Sequence, residues 1–222
     1  EISLRIIKNK GEIFLDENDY LRFIHDLFEF NDSESTSNVG YFFFRNKTID
    51  VGRQYIERRP RKLLVEILAF CLMPNHYHLL VKPKNDKAVS EFMKKINGGY
   101  TKYFNNKYSR NGVLFQGKYK CVAISAEKHF IHLPYYIHCN PLDLKFPEWR
   151  KRELENHKAA AEFLENYRWS SHRDYLGRKN FPSVTQREFL EEFFGGPQEY
   201  EKSVKSWLKD LNLQNLQDKT LE

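Results

Sequence analysis

The sequence has few of the residues that staple small extracellular folds. Only three of its 222 residues are cysteine (Cys71, Cys121 and Cys139), and none forms a C-x-x-C pair. An odd, scattered set excludes a disulfide framework and fits a reducing cytoplasm. Long apolar runs are missing too: the longest, residues 63–73, contains Glu66 and is too short to cross a bilayer, so no membrane partner is expected. No signal peptide is readable at the start, which lacks Met and reads as trimmed. Glycine (10) and proline (8) are modest beside 18 Phe and 13 Tyr, and 41% of residues are hydrophobic, which excludes a disordered chain. The length suits one good core with extensions.

Acidic residues are scarce in one place. Residues 82–120 hold ten Lys and Arg against only Asp86 and Glu91, whereas the chain from Arg187 onward is mildly acidic, with 5 basic and 8 acidic residues. A local excess of this kind points to a polyanionic partner. Tyr100, Tyr103, Tyr108, Phe115 and Tyr119 are interleaved with the basic residues. Cations for phosphates beside flat rings for unpaired bases suit a single-stranded nucleic acid.

The order of elements reads β, α, β, β, α, β, α. Ile2 to Ile7 is a short strand, and Asp16 caps a helix in which Tyr20, Ile24, Leu27 and Phe28 recur at helical spacing. Residues 31–62 read as an irregular insertion, including a polar loop, the aromatic run Tyr41 to Phe44 and the basic cluster at 58–62. A strand over 63–72 leads through Met73-Pro74-Asn75 into a second strand beginning at His76. Val89, Phe92, Met93, Ile96, Tyr100, Tyr103 and Phe104 mark one face of a second long helix, with Lys94, Lys95 and Lys102 at other angles. The pair Gly98-Gly99 weakens that helix, and a close backbone approach would be a reason to tolerate it. A strand starts near Lys118, and further helices are expected over 126–140, 153–166, 186–194 and 199–211.

Two stretches carry the chemistry. In the strand His76-Tyr77-His78-Leu79-Leu80-Val81, alternation puts His76, His78 and Leu80 on one face and Tyr77, Leu79 and Val81 on the other. Alone, such a pair reads more readily as polar decoration on a half-exposed strand than as a pair of metal ligands. In the helix over 126–140, Tyr136 and Asn140 stand one turn apart and share a face, Asn140 lying at the end because Pro141 disfavours helical geometry there. The bland reading is a packing tyrosine and a capping asparagine. Together, two imidazoles and an amide oxygen form an open, mostly hard ligand set, better suited to Mg²⁺ or Mn²⁺ than to a closed zinc site, with Tyr136 as a phenol nucleophile toward phosphorus. Tyr135 is the rival nucleophile, but its partner one turn on is Cys139; His132 and His138 are alternative ligands or bases.

The stretch Leu72 to Val81, the segment Leu114-Phe115-Gln116-Gly117-Lys118-Tyr119-Lys120, the run Tyr136-Ile137-His138-Cys139-Asn140-Pro141 and, later, Tyr167-Arg168-Trp169-Ser170-Ser171 resemble the REP-associated tyrosine transposases of the single-tyrosine HUH, IS200-like superfamily. The resemblance runs from about residue 12 to 178. It implies a ferredoxin-like α/β (α+β) sandwich, an antiparallel sheet with helices on one face, in a core of residues 1–145 followed by a helical C-terminal extension, 146–222. It further implies His76, His78 and Asn140 as ligands of Mg²⁺ or Mn²⁺ and Tyr136 as the nucleophile. The implied partner is single-stranded or hairpin DNA, cut and rejoined through a 5′-phosphotyrosine in the nucleoid. Lys94, Lys95, Lys102, Gln116, Lys118, Tyr119 and Lys120 are the candidate DNA contacts, and the chain could act as monomer or dimer. A catalytically silent DNA-binding regulator of repeats is the alternative, and an RNA-processing relative is a third. The first strand lacks the family's aromatic-histidine and Asn-Arg-Gly pattern, and His172 stands where an aromatic often follows the paired serines.

Overall fold

A computed structural model describes residues 2–8, 11–34, 60–115, 120–124 and 127–210; for 2–8, 120–124, 127–131 and 210 the backbone alone is described. The aromatic run Tyr41 to Phe44 and the basic residues Arg58 and Arg59 lie outside the described residues, as do Gln116, Lys118 and Tyr119.

Local chemistry sets the first helix, α1 (Glu17–Glu29). The Asp16 side chain accepts from the Asp19 N–H, and Asp19 reaches back to the Asp16 N–H, a reciprocal cap for two otherwise unmet donors. Strand β1 (Ile2–Lys8) precedes it. After α1 come β2 (Val65–Met73) and β3 (His76–Pro83), joined by the tight turn at Pro74-Asn75, then α2 (Ala88–Lys107) and β4 (Lys120–Ile124). All pairings are antiparallel and the spatial order is β2-β3-β1-β4. This is the ferredoxin-like βαββαβ arrangement expected from the sequence.

Gly99 explains why α2 tolerates glycine. A Cβ there would run into the Phe30 ring, whereas Gly98 faces open space. The anticipated close approach is real at one glycine of the two, and it is a side chain rather than a backbone that approaches.

Each sheet face buries a separate cluster. Tyr77, Leu79 and Val81 of β3 pack with Phe23 and Leu27 of α1 and Phe92, Ile96 and Tyr100 of α2. Leu80 packs on the opposite face with α3 (Glu127–Cys139) and with the C-terminal helices α4 (His157–Asn166), α5 (His172–Tyr175), α6 (Glu188–Phe194) and α7 (Pro197–Asp210). The two helices of the βαββαβ unit, α1 and α2, share one face as expected, and α3 with the C-terminal helices covers the other. The reason lies in β2 and β3, which are buried on both sides and so need two covers. Two 3₁₀ turns that the sequence did not reveal, Asn140–Leu144 and Pro147–Lys151, connect α3 to the rest. Gly195 and Gly196, both at positive φ, end α6 before α7 begins at Pro197.

Strand β2 lies at a sheet edge, where unpaired backbone groups invite wrong partners. The segment Trp169 to Ser171 closes it. Leu72 N–H donates to the Trp169 carbonyl (2.8 Å), Ser171 N–H to the Phe70 carbonyl (3.0 Å), and Phe70 N–H to the Ser171 hydroxyl (3.0 Å). Tyr167 adds a bond from its hydroxyl to the Leu72 carbonyl (2.6 Å).

Candidate active site

The turn at Pro74-Asn75 launches β3 so that His76 and His78 fall on the face that α3 covers. Their ring centroids lie 4.9 Å apart with planes at 77°. His78 is buried and His76 half-buried. His76 Nδ1 lies 2.7 Å from the Asn75 side-chain oxygen. A carboxamide oxygen only accepts, so this contact places the proton on Nδ1 and the lone pair on Nε2, the arrangement by which a neighbouring oxygen orients a ligating imidazole.

Helix α3 brings Tyr136 against the strand face. Its ring meets His78 edge-on, with centroids 5.9 Å apart and planes at 86°. Tyr135, one residue earlier, points elsewhere: it stacks on Tyr200 (5.8 Å, 17°) and meets Phe194 and Trp207 among the C-terminal helices. Helical rotation between neighbouring residues thus separates the two tyrosines, and only Tyr136 contacts the histidine strand.

Asn140 is wholly buried and heavily used. Its amide donates to the Tyr136 carbonyl (2.6 Å), closing the end of α3, and its oxygen accepts from Arg150 Nη2 (3.2 Å). Arg150, from the second 3₁₀ turn, also forks onto Asp143, Nε to Oδ1 and Nη2 to Oδ2, both at 2.7 Å. Its carbon centre sits 5.8 Å from the Tyr136 ring centroid and 4.9 Å from that of Trp149. Burial alone would lower the Arg150 pKa, but hydrogen bonds to Asp143 and to the Tyr136 side chain outweigh it and hold the guanidinium charged. Trp149 completes the cluster by donating its indole N–H to Asp143 (2.6 Å).

The donor set can be weighed against a divalent ion. Two adjacent imidazoles fit, one of them with its ligating nitrogen defined by the Asn75 contact. The Asn140 oxygen fits by type but is shared with a guanidinium, and a cation on that same oxygen would be repelled at short range. Among the described residues no group of three His, Cys, Asp or Glu side chains could hold a metal ion, so any site here must use an amide, water or substrate oxygen.

Residues 38–140, which hold both histidines, Tyr136 and Asn140, match the family model described as transposase IS200 like. That segment, a little under half of the chain, is similar to the IS200-like transposases. The resemblance read from the sequence is borne out at that level. No curated protein matches the sequence. A solved structure, described as a REP-associated tyrosine transposase bound to a REP hairpin, aligns over 82% of each chain at 15% identity with a TM-score of 0.43, and nothing about function rests on that likeness.

Of the candidate DNA contacts, those whose side chains are described stand away from this site. Lys94, Lys95 and Lys102 ride on α2, across the sheet from α3. Lys94 and Lys102 are exposed, whereas Lys95 pairs with Glu91 (3.1 Å). Lys120 opens β4 opposite Ile6, and its side chain lies outside the described residues. Much of the basic excess is met locally: Lys82 and Lys84 pair with Glu66, and Lys107 with Asp16 and Asp19. Burial raises the Glu66 carboxyl pKa, yet the two lysines outweigh it and hold the group below the usual range.

The sequence reading missed the Arg150 and Asp143 pair. Asp143 and Arg150 lie on separate 3₁₀ turns, so no single element's periodicity relates them, and within Glu148-Trp149-Arg150-Lys151-Arg152-Glu153 the arginine reads as one more solvated charge. The expectation of packing roles for the rival histidines suits His138, which is fully buried between the Tyr200 hydroxyl (2.5 Å) and the Ser171 hydroxyl (2.7 Å). His172, the departure from the family pattern, joins the same network through Tyr200 (3.2 Å).

Proposed function

We propose that the chain is a metal-dependent single-stranded DNA endonuclease and strand transferase acting near hairpins. The observation that carries this reading is the edge-on contact of Tyr136 with His78 inside the family segment, with His76 beside them. His76 and His78 would hold Mg²⁺ or Mn²⁺, with Asn140 as third ligand once Arg150 yields its oxygen. The ion, when bound, supplies Lewis-acid polarisation of a phosphodiester oxygen. Tyr136 supplies the nucleophilic oxygen. The P–O bond to the phenol forms as the bond from phosphorus to the 3′ oxygen breaks. The phenol proton leaves to solvent, and the 3′ oxygen takes one up as a hydroxyl. The covalent 5′-phosphotyrosine conserves the bond for rejoining.

The test is incubation with single-stranded hairpin oligonucleotides and Mn²⁺, followed by a denaturing gel and mass spectrometry. Wild type should carry an adduct on Tyr136, Tyr135→Phe should keep it, and Tyr136→Phe should lose it. His76→Ala should lose cleavage while hairpin binding persists.

A second reading, a DNA-binding regulator that no longer cuts, has its own support. Tyr136 is only 6% exposed, and the Asn140 amide is engaged at both ends. Hairpin binding without any adduct across a varied oligonucleotide library would establish it in place of the first.

A further inference from the structure

The cluster Tyr136, Asn140, Asp143, Trp149 and Arg150 holds a charged group that the reaction scheme above does not use in catalysis. Arg150 lies outside the segment that matches the family model and reaches back to that segment's tyrosine and asparagine. Two features set it apart from a surface ion pair. Its guanidinium is fixed by the Asp143 fork and by two rings, Trp149 and Tyr136, so little side-chain freedom remains to be lost on binding. Its side chain is 31% exposed whereas Tyr136 is a buried residue, which makes Arg150 the solvent-facing member of the pair. The Tyr136 side chain takes a hydrogen bond from this guanidinium, so a phosphate at the Tyr136 oxygen lies within its reach.

We propose that Arg150 is a catalytic residue of the strand-cleavage reaction, donating to the Tyr136 oxygen at rest and to a charged non-bridging oxygen of the scissile phosphate during attack. The inference rests on the transesterification reading given under the proposed function. Chemically, the phosphorus gains charge on its non-bridging oxygens as the phenol oxygen adds and before the 3′ oxygen departs. A preorganised fork aimed at those oxygens stabilises that state without having to reorganise. Asp143 is the positioning residue: it touches no reacting atom and aims the fork. Asn140 is the point of exchange, because its oxygen accepts from Arg150 in this structure and becomes available when the guanidinium turns to phosphate.

The experiment is single-turnover adduct formation on two hairpin oligonucleotides, one with a normal scissile phosphodiester and one with a neutral methylphosphonate there. Arg150→Ala should slow the normal substrate by about 10²- to 10³-fold. On the methylphosphonate, Arg150→Ala and wild type should react alike, because the charge that the guanidinium meets is gone. Hairpin affinity should change far less than rate. Since Arg150→Ala strands the Asp143 carboxylate, the double variant Arg150→Ala with Asp143→Ala is run beside it, and thermal melts followed by circular dichroism verify that each folds. Equal slowing on both substrates, or no slowing on the normal one by the folded double variant, overturns the role of Arg150. Absence of any adduct with wild type overturns the transesterification reading and this proposal together.

Discussion

The two faces of the sheet bury polar groups in different ways. On the α1 and α2 face such groups fasten chain ends. Asn31 bonds the Leu64 and Val65 N–H groups and the Val65 carbonyl, while Asp19 caps α1 and gathers Lys107, Tyr103 and Tyr108. On the α3 face the polar side chains meet one another in the interior: His76 with His78, His78 with Tyr136, Asn140 with Arg150, and His138 with Tyr200 and Ser171. Polar groups at a rim terminate secondary structure, whereas polar groups gathered beneath a sheet must satisfy each other and so mark where chemistry can be housed. Both faces pack an apolar core, and the candidate site belongs to the α3 face.

Substitutions can break or sharpen this contrast. The largest effect expected is from His78→Ala, which should depress adduct formation by about 100-fold or more with hairpin affinity little changed. Phe92→Ala, on the other face, should do the reverse: a loss of about 3–5 kcal/mol in stability by denaturant titration, with the adduct rate per folded molecule preserved. A rate loss in Phe92→Ala larger than its folded fraction explains would erase the division between faces.

Gly99→Ala should destabilise by about 1–3 kcal/mol because the new methyl meets the Phe30 ring. The pH dependence of the α3 face comes next. Burial pushes the His172 pKa down to about 3, with Arg178 adding to the depression. Between that value and the unfolded value of about 6.5, the unfolded chain binds the extra proton. Stability from the neutral imidazole is therefore complete above about pH 6.5 and is lost as pH falls toward 3, at about 1.4 kcal/mol per pH unit. His172→Phe should flatten the slope of ΔG against pH by that amount; an unchanged slope would show that the histidine is not buried neutral. Smallest is Gly98→Ala, with open space around it, which should add about 0.5–1 kcal/mol.

Much of this was readable from periodicity. Asp16 ahead of a helical repeat announced α1, Met73-Pro74-Asn75 announced the β2–β3 turn, and alternation placed His76, His78 and Leu80 together against Tyr77, Leu79 and Val81. The 3₁₀ turns escaped because one-turn elements carry no repeat. The second cover over the sheet escaped because an amphipathic helix names the face it buries but not the surface it buries against. His172 looked like a flaw in a family pattern until Tyr200, 28 positions on, supplied its partner.

Sequence alone determined the strands and longer helices, the histidine pair on one strand face, and the Tyr136 to Asn140 spacing, because these depend on neighbours within one turn or two strand residues. Only the tertiary structure decided that Tyr136 rather than Tyr135 meets the histidines, that the Asn140 oxygen is held by Arg150, and that the segment at 169–171 closes the edge of β2. Those outcomes depend on how α3 is rotated against the sheet and on contacts between residues far apart in the chain. Local propensity carries no information about either.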